Sequence, residues 1–225
     1  MRKVIATMNY ITQDRPDLGY AVKECARGMA TPPDRTVRQV KRVARYLKQH
    51  PRMAIHYQWQ TEPAGFVTYT ESDWAGCAAT RRSTSGGAVM RGRHLIKHWS
   101  RTQTCVALSS GEAELYAIVK GSTETLGLIQ VAKEMVVEQS GAICTDSSAA
   151  KGTVSRSGGG RLKHIAVNHL WVQEKRQRGE LAFRKIPRND NPSDALTHYW
   201  ETNSGLKHFV ACNVCVCLCM TKNDG

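Results

Sequence analysis

Along residues 1 to about 58, apolar side chains recur every three or four positions, the spacing of one face of an α-helix. In DRPDLGYAVKECARGMA these positions are Leu18, Val22, Cys25 and Met29. A break at PPD follows, and Asp34 is placed to cap a second helix, RTVRQVKRVARYLKQH. The apolar stripe of that helix is Val37, Val40, Ala44 and Leu47. Pro51 ends this helix, and the pattern predicts a small helical segment over residues 1–58.

From about residue 62 the pattern changes to the alternation typical of strands. In GFVTYTE, Val67, Tyr69 and Glu71 share one face. STSGGAVMRGRHLIKHWS predicts a hairpin that turns at Arg91-Gly92-Arg93. SSGEAELYAIVKGSTETLGLIQVAKEMVVEQ predicts a long helix, which begins with the capping-box pair of Ser109 and Glu112 and has small Ser122 in its apolar stripe.

The remaining segments alternate between strand and helix patterns. AICTD is a short apolar strand, SSAAKGTVSRS begins a helix, and RLKHIAVNHLWVQEKRQRGE is a second amphipathic helix. ELAFRKIP is a strand, and RNDNPSDALTHYW is a turn followed by a short helix. The order is therefore three strands, helix, strand, two helices, strand and helix. It predicts an α/β domain over residues 62–200, a mixed sheet flanked by helices, preceded by the helical segment 1–58.

The charge balance indicates a polyanionic partner. Lys and Arg number 32 against 19 Asp and Glu, a formal net charge of +13, and nucleic acid is the first candidate. Five cations lie side by side along the second predicted helix: Arg38, Lys41, Arg42, Arg45 and Lys48. Such a stripe matches a phosphate backbone. The alternative is a solvated face with counter-ions.

The chain shows neither a secretory signal nor the run of about 18 apolar residues that a membrane span needs. We expect an intracellular protein, cytoplasmic or nuclear, in which Cys25, Cys77, Cys105 and Cys144 are reduced core thiols. The other four cysteines crowd the tail, residues 201–225, which is predicted to be disordered: Cys212, Cys215, Cys217 and Cys219. Zinc binding by this tail and translated non-coding sequence are the two explanations.

Four acidic residues stand at junctions between predicted elements: Glu71, Glu114, Asp146 and Asp194. Taken singly, an acid in the first turn of a helix is explained by the helix dipole. Taken together, the four can be aimed at one point, where carboxylates repel each other unless cations lie between them. The set therefore predicts a site for two Mg²⁺ ions, the device that hydrolyses phosphodiesters, with Mn²⁺ as the alternative ion.

At these residues the sequence resembles the end of the Pol polyprotein of Ty1/copia-type retrotransposons, from about residue 9 to 198. The matching phrases occur in order: RPDLGYAV, KRVARYLK, SDWAG with RRSTSGG, ALSSGEAELYA, CTDSSAA, RLKHI, LWVQEK and NPSDALT. The resemblance implies a ribonuclease H-like fold and Mg²⁺-dependent cleavage of the RNA strand of an RNA–DNA hybrid. It implies that residues 1–58 are the end of the reverse transcriptase and that the rest of the polyprotein is a partner. Since the chain has no paired-Asp YxDD motif, we do not expect it to copy nucleic acid.

The resemblance also implies roles for individual residues. Glu114, Asp146 and Asp194 match the family's carboxylates, and Glu114 is expected to orient the substrate through the ribose 2′-OH. His164 is expected to shuttle a proton or aid product release, and the alternative is a surface histidine on phosphate or solvent. Arg81, Arg82 and Lys163 are expected to hold phosphates. Core packing is the preferred interpretation of Trp74 and Trp99.

Two positions depart from the family pattern. The family phrase Asp-Ala-Asp-Trp-Ala-Gly is here Glu71-Ser72-Asp73-Trp74-Ala75-Gly76, and Ala166 replaces an acid. Glu is one methylene longer than Asp, and a displacement of about 1 Å can cost about 100-fold in rate; Asp73 on the same strand face is a partial substitute. Two functions therefore stay open, a ribonuclease H and a catalytically impaired remnant that still binds nucleic acid.

Overall fold

A computed structural model describes residues 1–157 and 170–199. The predicted helical segment is confirmed. It contains α1 (Arg2–Ile11), a 3-10 turn (Pro16–Leu18), α2 (Gly19–Arg27) and α3 (Asp34–Gln49). Residues 50–64 then lead to the sheet without a helix or an extended strand.

The helical segment has a small apolar core of its own. Its buried members are Ile5, Met8, Leu18, Val22, Cys25, Val40 and Val43. Two predictions for α3 were wrong. Val43 is buried where Ala44 was expected, and Ala44 is exposed; burying Val43 removes more apolar surface from water than burying its smaller neighbour. Asp34 is the first residue of α3, and Pro33 occupies the cap position without a side-chain hydrogen bond.

The predicted sheet has five strands among residues 1–157 and 170–199: β1 (Gly65–Asp73), β2 (Thr84–Arg91), β3 (His94–Thr102), β4 (Ser140–Thr145) and β5 (Ala182–Lys185). Their order is β3-β2-β1-β4-β5. β1 is antiparallel to β2 and β2 to β3, whereas β1, β4 and β5 are parallel. The hairpin between β2 and β3 turns at the predicted place, where Gly92 has a φ of +60°.

The described residues contain three further helices: α4 (Ser110–Glu134), α5 (Ser148–Ser155) and α6 (Trp171–Gln177). After β5 come two 3-10 segments, Arg188–Asp190 and Pro192–Leu196, where the sequence predicted a turn and a short helix. The helix predicted to begin at residue 161 starts outside the described residues. The predicted α/β class, a mixed sheet flanked by helices, is confirmed.

The two faces of the sheet are covered by different elements. On one face, α4, α5 and α6 pack on β4 around buried Leu115, Ile118, Ile143, Val154, Val172 and Leu181. On the other, Ala88, Met90 and Leu95 of the β2–β3 hairpin pack against Ala195 and Leu196 of the second 3-10 segment.

Small residues allow α4 to lie close to β1. Gly121, Ser122 and Thr125 of α4 are buried, as predicted for Ser122, and the hydroxyls of Thr125 and Thr68 are 2.5 Å apart. A Cβ at Gly121 would press on the side chain of Thr70. The central helix is therefore fixed on the strand that carries Glu71.

The helical segment is attached to the sheet through polar side chains. Lys23 of α2 donates to the hydroxyl of Thr84 at 2.8 Å, and Arg27 donates to that of Thr102 at 3.2 Å. Thr84 begins β2 and Thr102 ends β3, so both contacts lie at one end of the hairpin. The domain boundary between residues 58 and 62 stays a prediction. In the parts of the chain that are described, no helix combines the length and the apolar character needed to cross a bilayer.

Trp99, within β3, and Trp74, directly after β1, differ in how far their side chains are buried. Trp99 is buried, as predicted, and its ring lies where a Cβ on Gly87 of the neighbouring strand would be. Trp74 is 52% exposed, so its predicted core position was wrong. Its indole N–H donates to the carbonyl of Ala107 at 3.0 Å, which fixes the ring beside the start of α4.

We predict that Gly87→Ala lowers the free energy of unfolding by about 1–3 kcal/mol, because the added methyl overlaps the Trp99 ring. Denaturant unfolding measures this. Gly127→Ala in α4 is the matched control, since nothing lies within 4 Å of its added Cβ. The control is expected to stabilise the protein by about 0.5–1 kcal/mol. Equal shifts in the two variants would contradict the packing of Trp99 on Gly87.

Candidate metal centre

Strand register brings Glu71 and Asp146 to the same level of the sheet. β1 and β4 are parallel neighbours in which Tyr69 pairs with Cys144. Two residues further along each strand stand Glu71 and Asp146, the latter just beyond the end of β4 at Thr145. Because both strands end at this edge, the two carboxylates meet there.

Glu114 reaches the same edge from α4. Ser109 caps this helix by accepting from the Glu112 N–H, as predicted. Two residues after Glu112, the Glu114 carboxylate accepts a hydrogen bond from the Ser72 N–H at 2.8 Å. Its second oxygen lies 3.5 Å from the Thr145 hydroxyl. Glu114 therefore bridges the ends of β1 and β4.

The three carboxylates form a tight group. One oxygen from each of Glu71, Glu114 and Asp146 lies within 4.8 Å of the others, and Glu71 and Glu114 are buried. Burial, together with the negative charges of Glu114, Asp146 and Asp194, raises the pKa of Glu71 to about 9. Burial also raises the pKa of Glu114 to about 8, although the hydrogen bond from Ser72 favours its charged form. Near neutral pH the metal-free group therefore binds protons, which relieve the repulsion between its carboxylates.

Asp194 lies beside this group without belonging to it. It is 8% exposed, in the 3-10 segment Pro192–Leu196. One of its oxygens is 3.5 Å from the Arg188 guanidinium and the other is 3.6 Å from Nε2 of His198. Its charge nevertheless contributes to the raised pKa of Glu71.

Two contacts, one of Glu71 and one of Asp194, were not expected from the sequence. Asn191, interpreted only as part of a turn, donates from Nδ2 to Glu71 at 3.2 Å. His198, four residues after Asp194, stands next to that carboxylate. The spacing of four is a signal that could have been used for His198.

The other predicted site residues lie in different places. The five cations of α3 are exposed, and so are Arg81 and Arg82 in the loop between β1 and β2. Lys163, His164, Ala166 and the cysteine-rich tail lie outside the described residues. Asp73 accepts from the Thr84 N–H and is not in the carboxylate group, so it does not substitute for Glu71.

The donor set fits a divalent cation. All three ligand groups offer hard carboxylate oxygens, which Mg²⁺ and Mn²⁺ prefer. Two of them are buried beside like charges, and a cation placed between them would remove the repulsion that raises the pKa of Glu71.

We predict that Glu71→Gln stabilises the metal-free protein at pH 8 by about 0.5–2 kcal/mol. The pKa of Glu71 is raised from its ordinary 4.5 to about 9, so between these values the folded state holds a proton that the unfolded state has released. The contribution of Glu71 to stability is therefore fully present below pH 4.5 and is lost as the pH rises towards 9. Denaturant unfolding in EDTA at a series of pH values measures this. The free energy of unfolding should fall less steeply with rising pH for the variant than for the parent.

Glu138→Gln is the matched control, because Glu138 is exposed. It is expected to keep the parent's profile. A Glu71→Gln profile that also follows the parent's would show that the carboxyl is not buried among like charges.

No protein-family model matches the chain. The retrovirus-related Pol polyprotein from transposon RE2 of Arabidopsis thaliana is 29% identical over 199 residues, 87% of this chain and 14% of that protein. The corresponding polyprotein from transposon TNT 1-94 of Nicotiana tabacum is 30% identical over 185 residues, 81% of this chain and again 14% of the relative. The chain thus spans about a seventh of these relatives.

Among solved structures, a ribonuclease H isolated from compost by a metagenomic approach is similar, with 14% identity and a TM-score of 0.45. The match covers 65% of this chain and 99% of that one.

The matches to the two transposon polyproteins cover the helical segment and the sheet together, and both relatives are retrovirus-related Pol polyproteins. The chain belongs to the retrovirus-related Pol polyproteins of copia-type transposons and corresponds to a part of one.

Proposed function

We propose that the chain is a retrotransposon ribonuclease H that hydrolyses the RNA strand of RNA–DNA hybrids with two Mg²⁺ ions. The observation that carries this proposal is the convergence of Glu71, Glu114 and Asp146 at one sheet edge. Membership of the Pol polyproteins supports it, because a retrotransposon copies RNA into DNA and so forms hybrids.

Glu71, Glu114, Asp146 and Asp194 are the proposed metal ligands and catalytic carboxylates. When bound, the ions supply an activated water and stabilise the negative charge on the leaving 3′ oxygen. The protein's part is to fix the ligands before substrate arrives. Glu114 is fixed from α4 by its bonds to Ser72 and Thr145, and Glu71 and Asp146 are fixed by the register of their strands.

A proton carrier stands at the solvent side of this group. His198 is 41% exposed at its side chain and 3.6 Å from Asp194. We propose it, beside His164, as the histidine that exchanges protons near the products. Its neighbour Arg188, also exposed, adds a positive charge that phosphate oxygens can contact.

The exposed cations provide the proposed contacts to the nucleic-acid backbone. Gln39 of α3 donates to the Tyr199 hydroxyl at 2.6 Å, and Tyr199 follows His198 directly. The helix with the cationic stripe is therefore attached to the segment that carries Asp194. Arg81 and Arg82 occupy the loop that follows β1, the strand of Glu71, and Lys163 is proposed with them.

The alternative function is a nucleic-acid-binding remnant with impaired catalysis. The observation that favours it is Glu71 itself, in place of the family's Asp. The carboxylate group forms with Glu71 present, so the choice between the two functions depends on the rate of reaction.

We predict that Glu114→Gln and Asp146→Asn each reduce cleavage by about 100-fold or more, because a ligand of the ions is lost. The measurement is cleavage of an end-labelled RNA–DNA hybrid in Mg²⁺ and in Mn²⁺. Asp190→Asn is the control: Asp190 is an exposed acid close to Asp194 in sequence, and its loss should leave the rate unchanged. Cleavage by the parent and loss in both variants support the nuclease.

Glu71→Asp separates the two functions in the same assay. If only this variant cuts, the chain is an impaired remnant. If neither the parent nor Glu71→Asp cuts or binds hybrid, both functions are wrong.

We predict that replacing Arg38, Lys41 and Arg45 with Ala weakens hybrid binding and lowers the slope of log K against log salt by about 2–3, because up to three phosphate contacts are lost. Fluorescence anisotropy over a salt series measures both quantities. The matched control replaces Lys133, Arg176 and Arg178, three exposed cations near the ends of α4 and α6. Those helix ends lie away from the sheet edge that holds the carboxylates. Equal losses in the two triple variants would mean that only total charge matters.

A further inference from the structure

Asn191 is a fully buried amide between the carboxylate group and the segment of Asp194. Its Nδ2 donates to Oε2 of Glu71 at 3.2 Å and to the carbonyl of Thr70 at 3.1 Å. Its Oδ1 accepts from the Ser193 N–H at 3.1 Å, which caps the 3-10 segment. One side chain thus holds Glu71 and begins the segment that carries Asp194.

The orientation of this amide is fixed by its neighbours. A flipped amide would turn Oδ1 towards two acceptors, the Glu71 carboxylate and the Thr70 carbonyl, and Nδ2 towards a donor, the Ser193 N–H. The observed orientation is therefore the one that satisfies all three groups, and it aims a donor at Glu71.

We propose that Asn191 is the positioning residue for Glu71: it holds the longer Glu side chain at the metal centre and ties it to the segment of Asp194. The inference rests on the proposed function for its catalytic meaning. The contact itself is a property of the fold, so it can be tested apart from hydrolysis.

The contact depends on the length of the side chain at position 71. The distance of 3.2 Å is already at the long end of the range for an N–H···O bond. An Asp at this position would end one methylene, about 1.5 Å, earlier, and its carboxylate would withdraw from Nδ2 unless the strand moved. Glu71 is thus matched to Asn191, which accounts for how the chain accommodates the departure from the family pattern.

Ser193 offers a control, because it shares one role of Asn191: both side chains donate to backbone carbonyls of β1 and so hold the 3-10 segment on that strand. Ser193 belongs to the same segment and also donates to β1, to the carbonyl of Tyr69 at 2.8 Å. Within the described part of the chain, its hydroxyl contacts Tyr69 and not Glu71. Ser193→Ala therefore weakens the docking of the segment and leaves the Glu71 contact in place.

Asn191→Ser is the test variant. Serine is a good helix cap, as Ser109 and Ser147 show in this chain, so the cap can be kept. A serine side chain is too short to reach Glu71. The experiment measures Mn²⁺ binding to the full chain by titration calorimetry, without nucleic acid, for the parent, Asn191→Ser and Ser193→Ala.

We expect Asn191→Ser to weaken Mn²⁺ binding about 10-fold or more, the usual effect of removing a partner of a metal ligand. Ser193→Ala should stay close to the parent. In a Glu71→Asp background, Asn191→Ser should change the affinity much less, because the contact is already lost. Equal losses from Asn191→Ser and Ser193→Ala, or the same loss in both backgrounds, would overturn the positioning role.

A second measurement does not depend on metal. The denaturation midpoints of the parent, Asn191→Ser, Glu71→Asp and the double variant in EDTA form a double-mutant cycle. Non-additive shifts support the contact, and additive shifts overturn it. A parent that binds Mn²⁺ but does not cut hybrids would contradict the proposed nuclease. The double-mutant cycle would still decide whether Asn191 positions Glu71.

Discussion

The parallel pairing of β1 with β4 is the constraint on which the candidate centre depends. Continued by two residues along each strand, its register places Glu71 and Asp146 at one level of the sheet edge. Burial at this edge, together with the charges of Glu114, Asp146 and Asp194, raises the pKa of Glu71 to about 9. The fold therefore keeps an electrostatically unfavourable group in place, and such groups are typical of functional sites.

The contact between α4 and β1 adds the third carboxylate. Gly121 and Thr125 let the helix lie directly on Thr68 and Thr70 of β1, and the first turns of the helix then extend to the strand ends. A larger residue at either position would push α4 outward and carry Glu114 away from Ser72. The packing of a helix middle thus sets the position of a side chain two turns earlier.

The sequence predicted the elements well because its patterns were long and clearly bounded. The alternation before Glu71, the Arg91-Gly92-Arg93 turn and the Ser109 cap each belong to a local rule that the structure follows. What local rules left undecided was the choice between adjacent candidates, such as Val43 and Ala44, since both fit the spacing of one helix face. Asn191 could not be predicted for another reason. Its role comes from a contact with Glu71 that forms only when the last segment folds back on β1.

The attachment of the helical segment determines how the cations of α3 are placed relative to the carboxylates of the candidate metal centre. Lys23 and Arg27 hold α2 to the ends of β2 and β3, and Gln39 holds α3 to Tyr199. A tethered segment could present its cations in any direction, and its contribution to binding would depend on linker length. A docked segment presents them in one direction relative to Asp194. In the proposed nuclease, phosphates bound by α3 would set the position of the strand at the carboxylate group through contacts that carry no sequence information.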